Sequence, residues 1–250
     1  MREVQSELFK SHKDILHAYT TKKGGFSNSP FLGNNLAFHV NDNPSNVNKN
    51  HVFSASHLNY PLQKLARMNQ VHGNKIVKIT DTTNLNNIPA CDALITNVKH
   101  IPLMVMVADC IPILVYDPVH KAVASIHAGR AGTFTEILPL CIQKMKHSYQ
   151  SNPKDLLVSV GPSIHQCCYE VGKEIVEEAK KENYEYAIEK RNSRYYLNLI
   201  AIIKKQLSNL KIETNNIDIS TYCTACNTNL FYSYRVEKQC GRFAGIIMLK

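Results

Sequence analysis

One stretch, Met104 to Thr133, constrains the fold more than any other. It reads Met-Val-Met-Val-Ala-Asp-Cys-Ile-Pro-Ile-Leu-Val-Tyr-Asp-Pro and, after Val119 and His120, Lys-Ala-Val-Ala-Ser-Ile-His-Ala-Gly-Arg-Ala-Gly-Thr. Two apolar runs around a turn at Asp117-Pro118 predict two buried strands with a short connection. Asp109-Cys110 interrupts the first run, and His127 closes the second just before the Gly-rich Ala128 to Gly132. A buried carboxylate is costly unless it is paired or hydrogen-bonded, so a strand that serves packing alone rarely carries one. A polar pair within one strand and a histidine at the end of the next predict a chemical site.

At 250 residues with 44% hydrophobic content, the chain has ample apolar material for a core. No linker, repeat or low-complexity tract divides it, which predicts one compact α/β domain over residues 1–250. The N-terminus lacks an apolar secretory region. The longest apolar run, Ile101 to Tyr116, is shorter than the roughly 20 residues of a bilayer span and carries Asp109. A cytoplasmic protein without membrane contact is expected, and its eight cysteines are expected as reduced thiols or ligands. The excess of 29 Lys and Arg over 20 Asp and Glu is scattered, which argues for a solvated basic surface and against nucleic acid.

Helices are expected at 44–59, opened by Pro44-Ser45, at Thr133 to Tyr149 with Thr133 as cap and Pro139 marking a first turn or a kink, and at Lys173 to Asn183 and Leu197 to Ser208. Strands are expected at Lys75 to Thr80, Cys91 to Thr96, Leu156 to Val160, Ile217 to Ser220, Leu230 to Arg235 and Phe243 to Leu249.

Three chemical readings compete. His72, Cys110 and His127 come from three strand edges and make a zinc set that leaves the fourth tetrahedral position open. Alternatively, Cys110 and His127 form a thiolate–imidazolium pair, with Asp109 or another acid orienting the histidine, as in a cysteine hydrolase or transferase. Two histidines and a cysteine also describe a copper site; yet none of the 11 histidines stands two residues from another, which argues against a four-copper array. A structural metal at Cys223-x-x-Cys226, with help from Cys167, Cys168 or Cys240, is not favoured. Only one such pair exists, and adjacent cysteines on an extended segment point to opposite faces. Between two lysines and Ser27, Gly24-Gly25 can form a backbone nest for an anion.

At these residues the chain resembles the polyphenol oxidase or laccase-domain family, whose members are described as purine nucleoside phosphorylases. The matching segments are Thr21 to Ser27, Asn35-Leu36 with His39, Gln70 to Gly73, Asp92 to Thr96, Ala108 to Cys110, and His127 to Gly129. They continue through Gly161 to Ile164, Cys167 to Val171, Cys223-Thr224, Phe231 to Arg235 and Gly241-Arg242. The resemblance implies layered mixed β-sheets flanked by helices, a fold related to Cys–His toxin deamidases. It implies zinc, with copper as the alternative, on His72, Cys110 and His127.

The implied activities are phosphorolysis of adenosine, inosine, guanosine and methylthioadenosine, and deamination of adenosine. The implied partners are therefore purine nucleosides and phosphate, bound by a monomer or a homodimer. Some relatives are linked instead to editing of cell-wall precursors, a hydrolase role for Cys110 and His127. The expected catalytic residues are Cys110, His127 and Asp109, with Asp109 moving protons. Lys22, Gly24, Gly25, Ser27, His39 and Arg130 are expected to bind substrate and phosphate. Two departures bear on the anion. Arg130-Ala131 replaces the family's Trp-Arg, and Lys22 stands where Arg is common, a point charge in place of a bidentate fork.

Overall fold

A computed structural model describes residues 2–250. The central sheet has the order β12 (Ile217–Ile219), β8 (Leu157–Val160), β6 (Ile111–Asp117), β7 (Ala122–Ala128), β4 (Ala93–Thr96) and β3 (Ile76–Lys78). Its outermost pairs, β12·β8 and β3·β4, are parallel and the inner ones antiparallel. A second, antiparallel sheet has the order β1 (Glu3–Val4), β2 (Ile15–Thr20), β13 (Phe243–Leu249) and β5 (Leu103–Val107). A small antiparallel sheet joins β10 (Ile188–Arg191), β11 (Arg194–Leu197) and β9 (Glu170–Val171).

The period of two along each strand sorts the side chains into layers. Ile111, Ile113 and Val115 of β6 pack with the helices α4 (Ile137–Tyr149) and α6 (Leu199–Asn209). Leu114 and Tyr116 face the other way, onto Tyr19, Val105 and Phe243 of the second sheet. Along β13, Ala244, Ile246 and Met248 turn outward, where Ala55 of α2 (Pro44–Leu58) covers them. The order is helices, sheet, sheet, helix. Strands covered on both faces read as unbroken apolar runs, which is why Met104 to Tyr116 is so greasy.

Shorter helices are α1 (Glu7–Lys10), α3 (Arg130–Phe134), α5 (Lys173–Lys181) and α7 (Tyr234–Glu237). No helix among the described residues is long and apolar enough to cross a membrane.

Several expectations are corrected. The first apolar run is two strands in different sheets, β5 and β6, and Asp109-Cys110 fills the break between them. Thr133 lies inside α3 and caps nothing; α4 begins after Glu136, whose φ of 60° ends the preceding turn. Leu230 to Ser233 is buried loop leading into α7, not a strand. The hairpin of β10 and β11 was not expected.

Two buried histidines make the fold acid-sensitive. Ser6 N–H donates to His17 Nε2 at 3.1 Å, and His51 Nε2–H donates to the Leu36 carbonyl at 2.9 Å. Burial pushes both rings down to about 4, while an unfolded histidine titrates near 6.5. Between these values the unfolded chain binds more protons, so stability is full above pH 6.5 and falls as pH drops toward 4. Urea melts should lose about 2 kcal/mol between pH 7 and 5.5 from this pair. In the double variant His17→Gln/His51→Gln that slope should largely vanish.

Candidate metal centre and cleft

Parity carries three side chains to one end of the gap between the two large sheets. His127 shares the inward face of β7 with Val123, Asp92 precedes β4 on the face of Leu94, and Cys110 precedes β6 on the face of Leu114. His72 comes from the loop before β3. Ligand atoms of His72, Cys110 and His127 all lie within 4.8 Å of one another. Cys110 Sγ is 3.9 Å from His72 Nε2, and the two imidazoles meet edge to face with centroids 4.7 Å apart.

Asp92, fully buried, builds this arrangement. Its Oδ1 accepts from His127 Nδ1 at 2.8 Å and from the His72 backbone N–H at 2.9 Å. Its Oδ2 accepts from Gly73 N–H at 2.8 Å and Val71 N–H at 3.3 Å. One carboxylate thus orients the His127 ring, Nδ1 toward itself and Nε2 toward Cys110 and the cleft, and holds His72 at a φ of 59°. Non-glycine residues in that region cluster where surrounding structure holds a site in place.

The electrostatics follow. Burial would push the Cys110 thiol up, but the charge on His127 and hydrogen bonds with His127 and His72 hold it at about 6. Burial would push His127 down, but the Cys110 thiolate and Asp92 raise it to about 9. Without metal, both shifts favour the thiolate–imidazolium ion pair over the neutral pair.

The donor set fits a metal. Two imidazoles and a thiolate suit zinc or copper. Space for an ion depends on Gly129, at which a Cβ would lie 3.0 Å from His72 Cδ2, 3.1 Å from Cys110 Sγ and 3.7 Å from His127 Cε1.

The three residues open onto a cleft of about 500 Å³. Met68, Met106, Ile164, Tyr169 and Leu199 supply apolar wall; Arg130, Arg235 and Arg242 supply positive charge. Arg235 stacks on the Tyr169 ring at 5.3 Å and donates to the Glu170 carbonyl at 2.7 Å. Arg130 is paired with Glu178.

Asp109 and His39 also line this cleft. Both Asp109 oxygens are engaged, Oδ1 by Thr224 Oγ1 at 2.6 Å and Oδ2 by the Arg235 backbone N–H at 2.7 Å. At a φ of 90° Asp109 ties two loops to the cleft floor.

The expected anion nest is not among the cleft's lining residues. Lys22 Nζ pairs with Glu237 at 3.1 Å and lies over the Tyr232 ring. Gly24 and Gly25 have φ of 80° and 81°, and a Cβ on Gly25 would sit 2.5 Å from Asn34 Cα. Gly25 thus allows the backbone of Asn34 to pass close by. Ser27 Oγ donates to Asp42 Oδ2 at 2.6 Å. Sequence reasoning missed Asp92, Arg235 and Arg242 as site residues, although the Asp92 strand and both arginine motifs stand out in the sequence.

Residues 16–250 match the family model described as multi-copper polyphenol oxidoreductase laccase, and the chain belongs to that family. It is 30% identical to the purine nucleoside phosphorylase YlmD of Bacillus subtilis, covering 96% of this chain and 91% of that protein. It is 33% identical to a purine nucleoside phosphorylase of Haemophilus influenzae, over 93% of each. Among solved structures, YlmD from Geobacillus stearothermophilus superposes with a TM-score of 0.90 at 27% identity, covering 100% of this chain and 98% of that one.

Proposed function

We propose that the chain is a cytoplasmic, zinc-dependent purine nucleoside phosphorylase that also deaminates adenosine. The observation that supports it most is the His72–Cys110–His127 cluster at the floor of a cleft walled by arginines and apolar side chains. The names of the relatives point the same way. His72, Cys110 and His127 would hold a zinc ion, which would supply Lewis-acid chemistry to a water or a substrate oxygen in the cleft.

The chain's own residues do the rest. Tyr169, Met68, Met106, Ile164 and Leu199 form a dry wall against which a flat purine stacks. Phosphorolysis needs an anionic nucleophile held beside the sugar while positive charge develops on it. Arg235 and Arg242, with Arg130, place guanidinium forks where a phosphate can be gripped. Asp109 acts as a positioning residue for Arg235 through that residue's backbone. Asp92 keeps His127 oriented and its Nε2 available.

Zinc is preferred to copper oxidase chemistry because the cleft gathers only three donors. The second cluster of metal-capable side chains among the described residues is made of thiols alone. A second reading, a cell-wall precursor hydrolase using Cys110 as nucleophile, draws on the thiolate–imidazolium pair with Asp92 behind it. Adenosine turnover separates the two. The proposal expects adenine and a ribose phosphate only when inorganic phosphate is present, and inosine without it. Inert nucleosides, with Cys110 alkylated readily in the zinc-treated protein, would favour the hydrolase.

A further inference from the structure

A second set of donors lies outside the cleft chemistry. Cys167, Cys168, Cys223 and Cys226 bring their sulfurs within 4.8 Å of one another. The Cys167–Cys168, Cys167–Cys226 and Cys168–Cys226 separations are 3.7, 3.7 and 3.3 Å. The adjacent pair is not extended: residues 166–168 form a turn, so both thiols face Cys226 and the objection from opposite faces falls. Zinc–thiolate bonds of about 2.3 Å in a tetrahedron place sulfurs about 3.8 Å apart. The spacing observed is close to that of a tetrathiolate site. A disulfide joins sulfurs two at a time and brings them to about 2.05 Å, which explains neither the number of thiols nor their spacing. The His165 backbone N–H points at Cys223 Sγ at 3.4 Å, the kind of donor that steadies a metal-bound thiolate.

We propose that Cys167, Cys168, Cys223 and Cys226 form a tetrathiolate zinc site with a structural role. Four protein ligands leave no open position, so the site clasps two loops and does no chemistry. Binding deprotonates the four thiols and releases their protons to solvent. The clasped loops are those that shape the cleft: Tyr169 follows Cys168, and Thr224, between the paired cysteines, donates to Asp109. The bridge of Ser163 with Cys223 runs alongside. The inference stands apart from the phosphorylase reading and survives its failure.

Metal analysis of protein purified under reducing conditions tests it in the background His72→Ala/Cys110→Ala, where the cleft cannot hold zinc. About one zinc per chain is expected there, falling to none when Cys168→Ser/Cys226→Ser is added. Should the serine variants fail to fold, cobalt substitution of the chain with its cluster intact answers the question. Tetrathiolate cobalt gives intense visible bands and thiolate-to-cobalt charge transfer, which a His-rich site gives only weakly. Loss of this metal should also lower the melting temperature and speed amide exchange in residues 163–169 and 222–227. Zinc-free protein in that background with four freely titrating thiols would overturn the proposal. So would a Cys168–Cys226 disulfide in the reduced preparation, or iron in place of zinc.

Discussion

Replacing Cys110 with Ala should remove one equivalent of zinc and lower phosphorolysis by on the order of 10³-fold or more, while the protein stays folded. The floor comes from the 10²–10⁴-fold that a single positioned catalytic group contributes, and Cys110 is asked to do more than that. Its thiolate is the one anionic ligand of the cleft, and His127 is held charged mainly by it. With the sulfur gone, two neutral imidazoles remain, a poor site for zinc. Little packing is lost, because Cys110 is only half-buried and sits in the break between two sheets. The melting temperature should therefore move by a few degrees at most. Zinc content by mass spectrometry and adenine release in phosphate buffer check both halves. Retention of the zinc equivalent together with turnover would remove the cleft from the account.

Asp92→Asn should act more broadly, on stability and metal together. The carboxylate accepts four hydrogen bonds, from Val71, His72 and Gly73 backbone N–H groups and from His127 Nδ1. An asparagine can keep the Oδ1 contacts with His72 and His127. Its amide would then face the N–H groups of Gly73 and Val71, donor against donor, in a place where the original side chain has no exposure to water. Unfolding free energy should drop by about 3 kcal/mol, the scale for a buried polar pair left with one side unsatisfied. His127 would lose its orienting charge and with it basicity at Nε2, and cleft zinc should bind about 10–100-fold more weakly. Urea melts read the first effect and titration against a competing chelator the second. A stability loss with unchanged zinc affinity would make Asp92 a fold residue only.

Much of this was written in local pattern. Unbroken apolar runs mark the strands with two covered faces, and β8, β12 and β13 fall within one residue of their sequence-derived ranges. His72, Cys110 and His127 could be grouped because each ends or precedes an apolar run. What escaped was long-range. Leu230 to Ser233 has strand-like residues, yet they are buried as a loop whose continuation is caught by Asp109. The hairpin of β10 and β11 hid behind its charges, Glu189, Lys190, Arg191 and Arg194. Its turn is Asn192-Ser193, both at positive φ, a weaker cue than Asn-Gly. The glycine pair at 24–25 looks the same in sequence whether it cradles an anion or lets the chain close on Asn34; only the neighbour decides. The cysteines at 167 and 168 depended likewise on one local conformation, a turn in place of an extended segment.

On the proposed function, zinc on His72, Cys110 and His127 is what makes the cleft a phosphorylase. Reconstitution tests it most directly. Metal-free Cys168→Ser/Cys226→Ser protein, or the unsubstituted chain if that variant does not fold, is titrated with zinc while bound metal and phosphate-dependent adenine release are followed in the same sample. The account predicts that turnover starts near zero, rises in proportion to cleft occupancy and saturates when that site is full. Full turnover in the metal-free protein, or a filled cleft that leaves adenosine untouched in phosphate, would contradict it.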